Sequence, residues 1–257
     1  MWPPAEGQTP VEGRVPADVR SPVSRGEART AGRIDGRAPI ELVASRYRSP
    51  APIWTDPAVD EVLPQLRSTA VLAAVRSATV GMPVERAACA PFTDGRWAFS
   101  HNGVVQDWRR VLTAVATELG TAELLDAEAH TDSATLWVIL RSLLDTAGPT
   151  GRSGDGQTGL SPTDPAVALR RLGSAVLARA PRARLNLLLG DGETLWATTV
   201  YHSLSVLVTD DVAVLASEPY DDDPRWQAVA DGQLVTARPG HLSVVSLVSD
   251  ESERARS

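Results

Sequence analysis

Three short stretches of this sequence carry groups that could act together on an amino-acid-like molecule. Arg76 follows the apolar run Val71-Leu72-Ala73-Ala74-Val75. Asn102-Gly103 closes the β-prone run Trp97-Ala98-Phe99-Ser100-His101. His130-Thr131-Asp132-Ser133 opens a strongly apolar segment. A guanidinium presents a planar fork that pairs with a carboxylate through two parallel hydrogen bonds. An Asn side-chain amide and the backbone N–H of the next residue form a two-donor pocket for oxygen that gains charge during acyl transfer. Gly at 103 lets a substrate approach the backbone closely. In this order the groups read as an amino-acid recognition set with an oxyanion hole. Each also has an ordinary explanation. Asn-Gly is a common turn pair, Arg76 could be a structural ion-pair partner, and Asp132 could be a helix cap.

Other reactive residue types offer less. His101, His130, His202 and His241 lack metal-ligand spacing and have no cysteine cluster beside them, so no metal is expected. His101 is expected to stack or hydrogen-bond beneath the site rather than serve as a base. Cys89 is the only cysteine, which excludes an intramolecular disulfide; free cysteines commonly behave as small buried hydrophobes. Ser217-Glu218-Pro219 ends a strand-like run and either shapes a pocket floor or leads into a solvated loop. Asp221-Asp222-Asp223 follows, and consecutive acids rarely converge on one cation.

These residues need strands and helices to hold them. Leu72 to Ser77 and the run around Trp97 predict strands, with Thr93-Asp94-Gly95-Arg96 as a turn before the second. Asp56-Pro57 predicts a short helix start. Trp108, Val111, Leu112 and Val115 form one stripe of a helix over about 107–118. Leu136, Ile139, Leu140, Leu143 and Leu144 mark a second helix over 132–145, and Asp164-Pro165 starts a third. Six strand-like runs follow between Ala183 and Leu247, separated by turn pairs such as Asp191-Gly192 and Asp210-Asp211. Strands, then helices, then a strand meander point to an α+β domain.

Residues 1–45 are rich in Pro, Gly, Arg, Glu and Ser and are expected to be disordered. The domain is expected over 46–250, with a flexible insertion at 147–164 and a disordered tail at 251–257. The 257 residues are 43% hydrophobic and 22% charged, an ordinary globular balance. A net charge of −7 argues against nucleic acid as a partner. No apolar run approaches a membrane span, and the N-terminus has no secretory h-region; a cytoplasmic location is expected. Oligomeric state is left open.

Taken together, Val71 to Pro83, Ala90-Pro91-Phe92, Phe99-Ser100-His101-Asn102-Gly103, Thr131-Asp132-Ser133 and Ala216 to Asp222 resemble the class II glutamine amidotransferases. Within that family they are similar to the ergothioneine-biosynthesis branch, which hydrolyses a γ-glutamyl amide. The resemblance implies a four-layer αββα sandwich of the N-terminal-nucleophile hydrolase type, incomplete at its N-terminus. It implies a small γ-glutamyl substrate and no cofactor. It also implies site roles: Asn102 and Gly103 as the oxyanion hole, Arg76 and the Thr79 hydroxyl at the α-carboxylate, and Asp132 at the α-ammonium.

The same resemblance calls for a cysteine directly after the initiator Met, with its own α-amine as base. This sequence begins Met1-Trp2. Either a working enzyme's gene has been read from a wrong start, or the chain is a degenerate relative that binds γ-glutamyl groups without hydrolysing them. Cys89, as an internal residue, has no free α-amine and is expected to be structural.

Overall fold

The eight-residue strand Trp97–Val104 (β2), the longest described strand, lies second from the edge of the larger sheet, and its alternation explains the layers on either side. Phe99 points to one face, fully buried, and stacks on Trp137 with ring centroids 5.5 Å apart. Asn102 points to the other. Such alternation is the period of a strand covered on both faces. A computed structural model describes residues 42–76, 84–121, 124–145 and 164–248 of the chain.

Phe92–Asp94 (β1) pairs with β2 through a tight turn at Gly95-Arg96, where Gly95 takes a positive φ of 52°. Arg184–Gly190 (β3), Leu195–Thr198 (β4), Gln233–Arg238 (β8) and His241–Ser246 (β9) complete an antiparallel sheet of order β1-β2-β3-β4-β8-β9. A second sheet of order β6-β5-β7 is built from Ser205–Val208 (β5), Ala213–Ala216 (β6) and Gln227–Ala228 (β7). β7 has two exposed residues and no periodicity to betray it. Ala197, Leu204, Val235 and Ala237 form a small core, packed by Leu188 and Leu242 of the larger sheet and Val208, Ala213 and Leu215 of the smaller.

A short helix, Ala58–Glu61 (α1), begins after Asp56, whose carboxylate accepts from the Ala58 N–H. Three longer helices cover the opposite face of the larger sheet. Trp108–Leu119 (α2) buries Val111, Leu112 and Val115, and ends at Gly120, φ 75°, with Thr121 N–H donating to Ala116 O and Gly120 N–H to Thr117 O. This double bond pattern satisfies carbonyls that a helix end leaves open. Asp132–Asp145 (α3) buries the expected leucine and isoleucine stripe. Pro165–Arg179 (α4) starts as expected, with Asp164 accepting from the Ala166 N–H at 2.9 Å. The main core lies between these helices and Phe99, Leu185, Leu187, Leu189 and Leu234 of the sheet. Helices, larger sheet and smaller sheet are three of the layers expected of the α+β sandwich. No described helix is long and apolar enough to cross a membrane.

The strand expected over Leu72 to Ser77 is corrected for residues 72–76, Ser77 lying outside the described residues. Residues 71–76 have no regular structure, and Val71 and Val75 are 77% and 80% exposed. A β-prone run becomes a strand only when a neighbouring strand completes its hydrogen bonds and a face is covered. No described strand pairs with this one. Upstream, the chain is tied to the body from Ala44, whose N–H donates to Gly95 O. Arg46 and Arg48 both bind Glu128, at 2.8 Å each. Burial pushes that carboxyl up, but the two guanidinium hydrogen bonds outweigh it and hold it below its ordinary value. The insertion expected at 147–164 and the tail at 251–257 lie outside the described residues, apart from Asp164.

Candidate functional site

The site is built where β2 ends and α3 begins. Thr131 caps α3: its Oγ1 accepts from the Ala134 N–H at 3.1 Å and its carbonyl accepts from Thr135 N–H. Capping therefore falls to Thr131, which frees the Asp132 carboxylate for another task. Asp132 is only 4% exposed. Its Oδ2 accepts from the Val105 N–H at 2.9 Å and its Oδ1 from the Ser133 N–H at 2.8 Å. A carboxylate at a helix N-terminus is favoured by the helix dipole, and its two oxygens offer about four acceptor positions. Two backbone bonds, with the Ser133 hydroxyl oxygen 3.4 Å from Oδ1, leave about one acceptor position unused.

The direction of the Gly103 N–H follows from the pairing of β3. Gly103 lies opposite Leu185. The Leu185 N–H donates to Val200 O on the far side of β3, so Leu185 and Gly103 form a non-hydrogen-bonded pair. The Gly103 N–H therefore faces the β1 side of β2. Pairing with β1 ends at Phe99, so no described strand covers that edge at Gly103. Val105, two residues on, presents its N–H to the same edge, and Asp132 takes it. Gly103 N–H and the Asp132 carboxylate thus share one edge that no described strand covers, separated along the strand by roughly 7 Å.

Gly103 cannot carry a side chain. A methyl group there would lie 1.9 Å from the Arg184 carbonyl oxygen, 2.6 Å from its carbon and 2.7 Å from His101 Nε2. The expected reason for glycine, approach by a substrate, is therefore corrected: the close approach is made by the protein's own backbone and a histidine ring.

Asn102 points to the smaller sheet, where its Nδ2 donates to Ser217 Oγ at 3.2 Å. An amide nitrogen has two hydrogens, so one donor remains. His101 points the other way. Its Nε2 meets the Arg184 carbonyl at 3.0 Å and its Nδ1 meets Ser133 Oγ at 3.1 Å. A carbonyl only accepts, so Nε2 carries the proton; Nδ1 of the neutral ring then accepts from the Ser133 hydroxyl. Burial is the main cause that holds the imidazole below its ordinary pKa. The Asp132 charge and the Arg184 carbonyl oppose this without overcoming it, while the charges of His202 and Arg184 lower it further. Both ring nitrogens are engaged, so His101 ties the end of β2 to β3 and to the start of α3.

Asn102, Gly103 and Asp132 are brought together. Arg76 sits exposed on the irregular 71–76 segment instead of at a strand end, and Thr79 lies outside the described residues. Cys89 has its Sγ 3.4 Å from Ser49 O and 3.3 Å from Glu85 O. Among the described residues no group of three His, Cys, Asp or Glu side chains could hold a metal ion. Sequence reasoning missed Asn186, whose Oδ1 accepts from Val200 N–H and whose Nδ2 donates to Ser203 O at 2.9 Å and His202 O at 3.3 Å. Its signal was a lone amide inside the run Leu185-Asn186-Leu187-Leu188-Leu189.

Residues 41–257 match the family model of the class-II glutamine amidotransferases. The chain is 42% identical over 208 residues to the γ-glutamyl-hercynylcysteine sulfoxide hydrolase of Mycolicibacterium smegmatis, covering 80% of this chain and 77% of that protein. It is also 42% identical over 217 residues to the protein of the same name from Mycobacterium tuberculosis, covering 84% and 77%. A glutamine aminotransferase class-II domain protein from Silicibacter pomeroyi shares the fold, with a TM-score of 0.54 at 23% identity over 81% of this chain and 90% of that one. This chain belongs to the class-II glutamine amidotransferases.

Proposed function

We propose that the chain forms the glutamyl-holding and oxyanion-stabilising side of an amide hydrolase acting on γ-glutamyl-hercynylcysteine S-oxide in ergothioneine biosynthesis. The observation that carries this reading is the shared edge of β2, with the Gly103 N–H and the Asp132 carboxylate side by side. Their spacing suits the two ends of a glutamyl group. Asp132 receives the α-ammonium, and Arg76 with Thr79 receives the α-carboxylate. The Gly103 N–H and the second Asn102 N–H donate to the carbonyl oxygen as it gains charge. The substrate is the one in the name of the 42%-identical relatives.

In the chemistry implied by the family, an N-terminal cysteine thiolate adds to the amide carbonyl, and the carbonyl electron pair moves onto oxygen. Collapse re-forms the carbonyl and breaks the C–N bond, while the α-ammonium of that cysteine protonates the leaving amine. Water then cleaves the thioester, giving glutamate and returning the thiol. No metal or organic cofactor takes part. We place the reaction in the cytoplasm, on a small molecule, with neither nucleic acid nor membrane as partner.

A second reading, binding of γ-glutamyl groups without hydrolysis, is favoured by one observation. The Cys89 thiol lies against the Ser49 and Glu85 carbonyls. One experiment separates the readings: purified protein is mixed with γ-glutamyl-hercynylcysteine S-oxide, and binding and glutamate release are both followed. Release that persists in Cys89→Ala supports hydrolysis with the nucleophile elsewhere. Binding without release supports the second reading. Neither binding nor release overturns both, and release abolished by Cys89→Ala overturns the structural role given to that thiol.

A further inference from the structure

We infer that Ser217 is a positioning residue for the oxyanion donor Asn102, held at its station by Ser203 and Asn186; this rests on the glutamyl reading above. An Asn side chain ends in a soft torsion, broad and roughly two-fold. Asn102 is exposed at the end of β2, where the β2 backbone alone leaves its amide free to turn. A donor contributes most to an oxyanion when it is already aimed and need not reorganise during reaction. The Ser217 hydroxyl supplies the missing restraint. By accepting one Nδ2 hydrogen at 3.2 Å it fixes the amide plane, so the second hydrogen has a defined direction.

Ser217 follows β6 in the smaller sheet, so the bond crosses from one sheet to the other. Its own position is set by a chain of side-chain bonds. The Ser203 hydroxyl donates to the Ser217 carbonyl at 2.7 Å. The Ser203 carbonyl accepts from Asn186 Nδ2 at 2.9 Å, and Asn186 lies directly opposite Asn102 on β3. Asn186 Oδ1 also fixes the Val200 N–H, while Asp231 fixes the N–H of Tyr201, which adopts a φ of 58°. A left-handed conformation at a tyrosine persists only where surrounding bonds determine it. The 200–204 connection is therefore pinned at both strand β3 and the turn before β8. The path leads from β3 through that connection to Ser217 and back to the donor on β2.

The test compares L-glutamine with L-norvaline, which has the same carbon chain and α-groups but no side-chain carbonyl. Calorimetry on the full chain should give a preference for glutamine that falls about three- to tenfold in Ser217→Ala, the value of one net hydrogen bond. Norvaline affinity should not change. Ser217→Thr, which keeps the hydroxyl, should restore the preference, and Ser217→Ala should have no further effect in an Asn102→Ala background. A preference unchanged in Ser217→Ala, or equal losses for both ligands, overturns the inference. A wild-type chain with no preference overturns the glutamyl reading instead. In that case the Asn102 side-chain amide resonances still read the strut without ligand: they should move in Ser217→Ala and return in Ser217→Thr, and resonances that stay put overturn the inference.

Discussion

The backbone N–H of Val105 donates to Asp132 Oδ2 at 2.9 Å, joining the end of β2 to the first turn of α3. One buried carboxylate therefore holds the strand that carries Asn102 and Gly103 while facing the edge where a ligand amine would lie. The structural duty is in place, the proposed binding duty would fall to the same side chain, and substitutions can separate the two.

Asp132→Ala removes both acceptors and strands a buried N–H, which costs about 1–3 kcal/mol in an environment of this kind. Asp132→Asn keeps an amide oxygen for Val105 but loses the charge that an ammonium needs. Urea unfolding should give a clear loss of stability for the alanine variant and a smaller one for the asparagine variant. Calorimetry with L-glutamate should give no binding in either. Binding retained in Asp132→Asn would remove Asp132 from the site.

Gly103→Ala should destabilise the protein by about 3 kcal/mol or more, at or beyond the upper end of ordinary overpacking. The new methyl would meet the Arg184 carbonyl group, a backbone that cannot swing aside. Thermal unfolding measures this directly, and a melting temperature within a degree of wild type would contradict the packing described.

His101 gives a pH signature. Its pKa in the folded protein lies below the ordinary value of 6.5, chiefly through burial. The unfolded chain therefore binds more protons than the folded one as pH drops below 6.5, and stability rises with pH in that range. The contribution is intact above 6.5, declines as pH falls toward the depressed folded value, and is level below it. Asp132, Ser133, Arg184 and His202 face the ring, and Asp132 limits the size of the effect. Unfolding free energies measured from pH 7.5 down to pH 5 should decline in wild type and decline less in His101→Gln. Parallel curves would show that another group controls this window.

Much of this architecture was legible because the deciding information is local. The apolar stripe of α3, the Asp164-Pro165 start of α4 and the turn pairs between β3 and β9 lie within a few residues of what they specify. The candidate residues were legible as an ordered set of residue types, but their geometry was not. The necessity of Gly103 depends on the Arg184 carbonyl, and the second duty of Asp132 depends on Val105, 27 residues away in sequence. The 71–76 run shows the opposite failure. Its residues favour a strand, but a strand is a property of a pair, and no described strand pairs with it.

That run carries the last prediction, because Arg76 is the candidate farthest from the geometry expected of it. An exposed ion pair is worth about 0.2–1 kcal/mol, or up to about fivefold in affinity. Truncating one partner of a desolvated pair costs about 2–5 kcal/mol, or roughly thirtyfold and more. If Arg76 holds the ligand α-carboxylate in a desolvated pair, the larger figure applies. Arg76→Ala should therefore weaken L-glutamate binding at least about thirtyfold. Arg109→Ala is the control: Arg109 lies on α2 with its guanidinium 4.6 Å over the Trp108 ring, and its loss should leave glutamate affinity unchanged. Titration of wild type and both variants under one buffer condition decides the matter. A loss of less than about fivefold in Arg76→Ala would mean that the carboxylate is held by another group.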